Sequence, residues 1–142
     1  MSTTDIPISL IDAYRATDYR VAFDGDELCL RIGEWSSGLT ALLDRFDRGT
    51  ACFITAENSY SRQASVTENA AKQTSLHADL AALGAIILGG VGVSQDASWP
   101  AEASYLAIGL SRSNACDLGR KYEQNAIVWV GENVIPELVL LR

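Results

Sequence analysis

Six side chains able to bind a ligand stand in one polar stretch: Asn58, Ser61, Arg62, Ser65, Glu68 and Asn69. Amides and hydroxyls beside one guanidinium suit holding a small polar or anionic molecule better than transferring groups to it. The stretch separates an apolar run, Ala51–Ala56, from an amphipathic run that begins after Ser65. A helix starting there offers free backbone N–H groups and the positive end of its dipole. Arg62 precedes that helix, where the dipole repels a cation, so its placement points to an anion between them. In open α/β sheets such crevices lie beyond the carboxyl ends of strands. The same residues also fit an elaborate cap, with Asn58 in an Asx-turn and Asn69 tying down the loop. Sequence leaves both readings standing.

Other candidates are thinner. Glu57 and Glu68 together offer carboxylates for acid–base work or for a hard cation, which gives an enzyme as the alternative function. A capping box, Ser65-Val66-Thr67-Glu68, accounts for Glu68 without chemistry. His77, the only histidine, flanks a helical stripe and has no triad partner spaced for it. Gly89-Gly90-Val91-Gly92 lacks the Lys-Ser/Thr of a phosphate loop and reads as a turn or a lid. Trp99-Pro100-Ala101-Glu102 would then be the lid's far anchor, with Trp99 on the core. Cys29, Cys52 and Cys116 show no paired spacing, so they are expected to be reduced and buried, with no metal site. No motif specifies a cofactor.

The elements that must position these groups follow from periodicity and punctuation. A short helix is expected after Asp5-Ile6-Pro7, with Ile8, Ile11 and Tyr14 facing the core. Alternation at Tyr19, Val21, Phe23 and at Leu28, Leu30, Ile32 flanks Asp24-Gly25, which predicts a β-hairpin. Ser37 caps a helix with the stripe Leu39, Leu42, Leu43, Phe46, and Gly49 stops it. A strand over 51–56 completes strand–helix–strand, which favours parallel pairing. The helix over 65–83 has the stripe Val66, Asn69, Gln73, Leu76, Leu80, Leu83. A short strand at 85–88, a glycine-rich loop over 89–100, a strand at 104–109 and a helix capped by Ser113 come next. Strands at 126–130 and 137–141 surround a turn.

Sliding the chain against itself by 76 residues aligns Leu30 with Leu106, Gly33 with Gly109, Leu42 with Leu118 and Phe53-Ile54 with Trp129-Val130. Either a βαβ unit is duplicated, or two such units share one grammar of glycine, cap and stripe.

The chain has 142 residues, 48% apolar and 20% charged, which suits one globular domain with a real core. A net charge of −7 argues against nucleic acid. The longest apolar run, Leu80–Val93, falls short of the roughly 20 residues a membrane span needs. No signal peptide is evident at the N-terminus, so a cytoplasmic protein is expected.

Taken in order, Ala13-Tyr14-Arg15-Ala16-Thr17, Leu30-Arg31-Ile32-Gly33, Phe53-Ile54-Thr55-Ala56 with Asn58 and Ser61, Glu68-Asn69, Trp99-Pro100-Ala101-Glu102 and Gln124-Asn125-Ala126-Ile127-Val128-Trp129 resemble the bacterial family classed as domain of unknown function 3293 (DUF3293). The resemblance runs over nearly the whole chain and implies a small stand-alone bacterial protein with no established activity. Here Glu57 and Ser59 stand where that family's strand exit has Trp and Pro.

The expectation is therefore a single α/β domain over 1–142, with a mixed sheet of six or seven strands and three main helices. Its function is binding of a small polar or anionic ligand at the junction 56–69. The competing readings are an enzyme using Glu57 and Glu68, and an acidic protein-interaction module with no small-molecule site. A protein partner is not specified by the sequence.

Overall fold

The computed structural model describes residues 4–95 and 100–142, and the backbone alone of Ser61. Residues 96–99, with Trp99 of the expected lid anchor among them, lie outside these residues. In chain order the elements are α1 (Ile8–Arg15), β1 (Asp18–Phe23), β2 (Asp26–Leu30), α2 (Ser37–Arg45), β3 (Ala51–Ile54), α3 (Val66–Ala82), β4 (Ile86–Val93), β5 (Glu102–Ile108), α4 (Arg112–Lys121), β6 (Ala126–Val130) and β7 (Pro136–Leu140). A single 3-10 turn, Ser59–Ser61, lies between β3 and α3.

The seven strands form one sheet in the order β2-β1-β4-β5-β3-β6-β7. The α/β class and the strand number are as expected. Parallel pairing is not, because every neighbouring pair is antiparallel. The strands of each strand–helix–strand unit do run the same way. They are never neighbours: β1, β4 and β5 separate β2 from β3, and β3 itself separates β5 from β6. A crossover fixes strand direction, but adjacency is settled by which other strands fill the gap.

Alternation along the strands sorts side chains to two faces. Tyr19, Val21, Ala51, Phe53, Leu106, Ile108, Val128 and Val130 join Leu39, Leu42 and Leu43 of α2 in one core. Cys52, Ile54, Ala107, Ile127 and Trp129 join Leu76 and Leu80 of α3 and Ala115 and Leu118 of α4 in the other. Helices thus cover both faces.

Several local expectations are corrected. The glycine-rich run belongs to β4, which extends to Val93 between β1 and β5. A Cβ on Gly90 would stand 2.6 Å from the Arg20 carbonyl and 2.9 Å from the Phe53 ring, so glycine serves close packing there, not a turn. The helix caps are Ser36 and Ser111, each accepting an N–H three residues on, rather than Ser37 and Ser113. On α3 the ends of the expected stripe are open to solvent, Val66 at 87% and Leu83 at 44%, and burial is confined to Gln73, Leu76 and Leu80. The α1 helix buries none of its residues, and Ile8 is 73% exposed. All three thiols are free, but only Cys52 is buried: Cys116 is half-buried, and Cys29 is exposed because β2 is an edge strand and Cys29 alternates with the inward-facing Leu28 and Leu30. Among the described residues, no helix is long and apolar enough to cross a membrane.

Candidate functional site

A cavity of ≈ 130 Å³ opens at one end of the sheet, where β1, β5 and β6 begin and β3, β4 and β7 end. Its apolar walls include Tyr19, Phe53, Val128 and Leu138. Leu10, Ala13 and Tyr14 of α1 close one side, so α1 serves as a cover rather than as core. Polar atoms reach the lining from Thr55, Asn58, Glu102, Ser104 and Gln124. Cavities of about 150 Å³ in protein cores take a six-carbon ring, which sets the scale of an occupant.

Asn58 is the hub of the polar side. It is 7% exposed and left-handed, with φ 50° and ψ 62°, a conformation that Asn adopts more readily than most residues. Its N–H donates to Asn69 Oδ1 at 2.9 Å, and its Oδ1 accepts from Asn69 Nδ2 at 3.1 Å and from the Ala64 N–H at 3.0 Å. Asn58 Nδ2 donates to Glu102 Oε2 at 2.7 Å, which orients that carboxylate. One helical turn further, Gln73 Oε1 accepts the buried Ala56 N–H at 2.6 Å while its Nε2 donates to the Ala103 carbonyl at 2.9 Å. The polar residues in the α3 stripe thus complete the backbone valences of a strand exit.

The cover is held by hydroxyls. Tyr19 Oη donates to the Tyr14 carbonyl at 2.6 Å, and Asn125 Nδ2 donates to Tyr14 Oη at 3.1 Å. Burial pushes the Tyr19 phenol well above its ordinary pKa, so it stays neutral. Arg142 lies 4.1 Å over the Tyr60 ring and donates to Asn125 Oδ1 at 3.0 Å. Tyr60 is itself left-handed, at φ 52°, a costly conformation for an aromatic residue.

Of the five sequence-predicted residues whose side chains are described, only Asn58 lines the cavity, and Asn69 supports it from behind. Ser65 is spent on the cap, accepting the Glu68 N–H at 3.1 Å, and Glu68 is exposed. Arg62 is exposed too, and its N–H goes to the Ser59 carbonyl at 3.1 Å. Ser61 contributes backbone to the 3-10 turn. Glu57 Oε1 accepts the Ala103 N–H at 2.9 Å, and among the described residues no contact joins it to Glu68. No described group of three or more His, Cys, Asp or Glu is placed to hold a metal. His77 is exposed and packs edge-on to Tyr105, and Cys52 is buried in the α3–α4 core, away from the cavity.

Sequence reasoning missed Tyr14, Tyr19, Glu102, Ser104 and Gln124 as lining residues. A signal for three of them was present. Tyr14, Glu102 and Gln124 each lie in a segment that carried the family resemblance, and those separated segments converge on this cavity.

The family model described as Protein of unknown function (DUF3293) matches residues 54–127, about half of the chain. No curated protein and no solved structure matches the chain.

Proposed function

The chain belongs to the DUF3293 family, a family of unknown function, and from its cavity we propose that it binds a small polar molecule with an apolar body beneath α1. The observation that carries the reading is the lining itself, in which aromatic and aliphatic walls meet amides, hydroxyls and one carboxylate in a concave site. Binding shifts from the helix N-terminus named by the sequence to the space between α1 and the sheet, with Asn58 common to both. The anionic half of the sequence reading loses support, since Arg62 and Ser65 are absent from the walls.

A thermal-shift screen of small polar metabolites tests the proposal, with Ala13→Phe as the blocked control. Ala13 lies on a helix that buries nothing, so the larger ring fills the cavity without disturbing the core. Compounds that raise the melting temperature of the wild type should leave Ala13→Phe unmoved. Equal shifts in both proteins place binding elsewhere.

A further inference from the structure

The binding reading leaves the charge of the occupant undefined, and the walls bear on it. Among the described residues lining the cavity, Glu102 is the only charged side chain. Its Oε2 is fixed by the Asn58 amide at 2.7 Å, and Asn58 is in turn fixed by Asn69 and Ala64, so the carboxylate is held in one direction. Another part of the wall is aromatic. The Tyr19 and Phe53 rings meet edge to face, 5.1 Å between centroids.

The Tyr19 phenol is neutral near pH 7 and burial raises its pKa further, so no second negative charge competes with Glu102. A carboxylate in a cavity with apolar walls favours an organic cation through direct charge attraction, and the aromatic rings suit its apolar body. An anion there would meet Glu102 at short range, and the chain's net charge of −7 opposes its approach. Resting on the binding reading above, we infer that the cavity selects a small organic cation, a primary amine on a compact apolar body, with Glu102 as the counter-charge and the Tyr19–Phe53 wall against the apolar part.

Three probes of one shape test this: benzylamine, benzyl alcohol and benzoate. Each is titrated into the full chain near neutral pH while the ring resonances of Tyr14, Tyr19 and Phe53 are followed by NMR. Benzylamine should bind tightest, by roughly tenfold or more over benzyl alcohol, and benzoate weakest. Glu102→Gln keeps an oxygen for the Asn58 amide and removes the charge. It should cut the preference for benzylamine over benzyl alcohol to about twofold. Benzyl alcohol or benzoate equalling benzylamine in the wild type overturns the cation inference while the cavity stands as a binding site. If none of the three moves those resonances, the binding reading fails with it. The wild-type ranking decides the matter even if Glu102→Gln does not fold.

Discussion

In the first strand–helix–strand unit the chain leaves β3 at Ile54 and reaches a left-handed residue at Asn58. In the second it leaves β6 at Val130 and reaches one at Val134, 76 positions on. The same offset relates two more left-handed pairs, Gly33 with Gly109 and Asp47 with Glu123. Units 26–54 and 102–130 are thus alike in their turns as well as in their element order. The exit from the last strand separates them. Asn tolerates the left-handed region, and its amide gathers Ala64, Asn69 and Glu102 into one polar hub. Val134, β-branched, is held there by its N–H on the Gly131 carbonyl at 3.0 Å and by packing on the α2 core, at a cost of about 1–2 kcal/mol for the conformation. The backbone path is imposed at both exits; the residue placed on it decides whether the exit becomes a tight turn or a cavity wall.

Breaking the hub should have the largest effect. Asn58→Ala strands the Ala64 N–H and puts alanine in a left-handed conformation, so urea unfolding should show a loss of about 2–4 kcal/mol. Val134→Ala, its counterpart, removes part of a half-buried apolar side chain and should cost about 1 kcal/mol or less. Equal losses at the two sites would break the comparison. Next comes Asn69→Leu, which improves the apolar stripe of α3 but deprives the Asn58 N–H of its acceptor; about 1–3 kcal/mol should be lost. A raised melting temperature would show that the stripe outweighs the hub.

A smaller effect is expected at the helix ends. Phe46 and Tyr122 occupy matching positions at the C-termini of α2 and α4. Phe46 packs edge-on to Phe23, whereas Tyr122 Oη donates to Asp79 Oδ2 at 2.5 Å and so joins α4 to α3. Tyr122→Phe makes the two ends alike and should cost about 1 kcal/mol in a thermal melt. Hydrogen bonds from Lys121 and Tyr122 hold the Asp79 carboxyl below its ordinary pKa. Its contribution is therefore present above the unfolded carboxyl value and lost as pH falls through the lower folded one. Burial, then the bond to Asp79, pushes Tyr122 up to about 12, so its contribution is lost as pH rises from the unfolded value, near 10, through that range. Both limbs of the stability–pH curve should flatten in Tyr122→Phe; an unchanged curve would mean that this bond does not join the helices.

Least of all should happen at Arg62. Its side chain is exposed, and Arg62→Ala should change stability by no more than about 0.5 kcal/mol. Should phosphate protect the wild type against heat and fail to protect Arg62→Ala, the helix N-terminus would be an anion site after all, and the two exits would differ by more than Asn58.

Asn58 and Asn69 were legible as special because they are polar where leucine or a simple turn residue would do. Arg62 drew notice for the same reason: a charge beside a helix start is conspicuous in a sequence whether or not it is exposed, as Arg62 is. Tyr19 and Ser104 were not legible, since each alternates correctly with its neighbours and looks like an ordinary strand residue. Only their meeting at one end of the sheet makes them walls.

By itself the sequence determined what is local. Period-two alternation marked most of the strands, period 3.6 marked the helices, serines placed the starts of α2, α3 and α4 within two residues, and the 76-residue offset exposed the shared unit; the end of α2 falls at Phe46 and the left-handed Asp47 rather than at Gly49. Tertiary structure decided the neighbours. Strand direction follows from connection length and chain stiffness, but β3 lies between β5 and β6 because that pairing buries Phe53 on one face and Cys52 and Ile54 on the other, a gain that no single segment encodes. The same holds for Gly90, a turn residue by its local sequence, whose missing side chain leaves room for two other segments to press in. It holds for the cavity as well, whose walls come from α1, β1, β3, β4, β5, β6, β7 and the loops between them. Burial of apolar surface is non-directional and summed over the whole chain, so the arrangement that maximises it appears only when every element is in place.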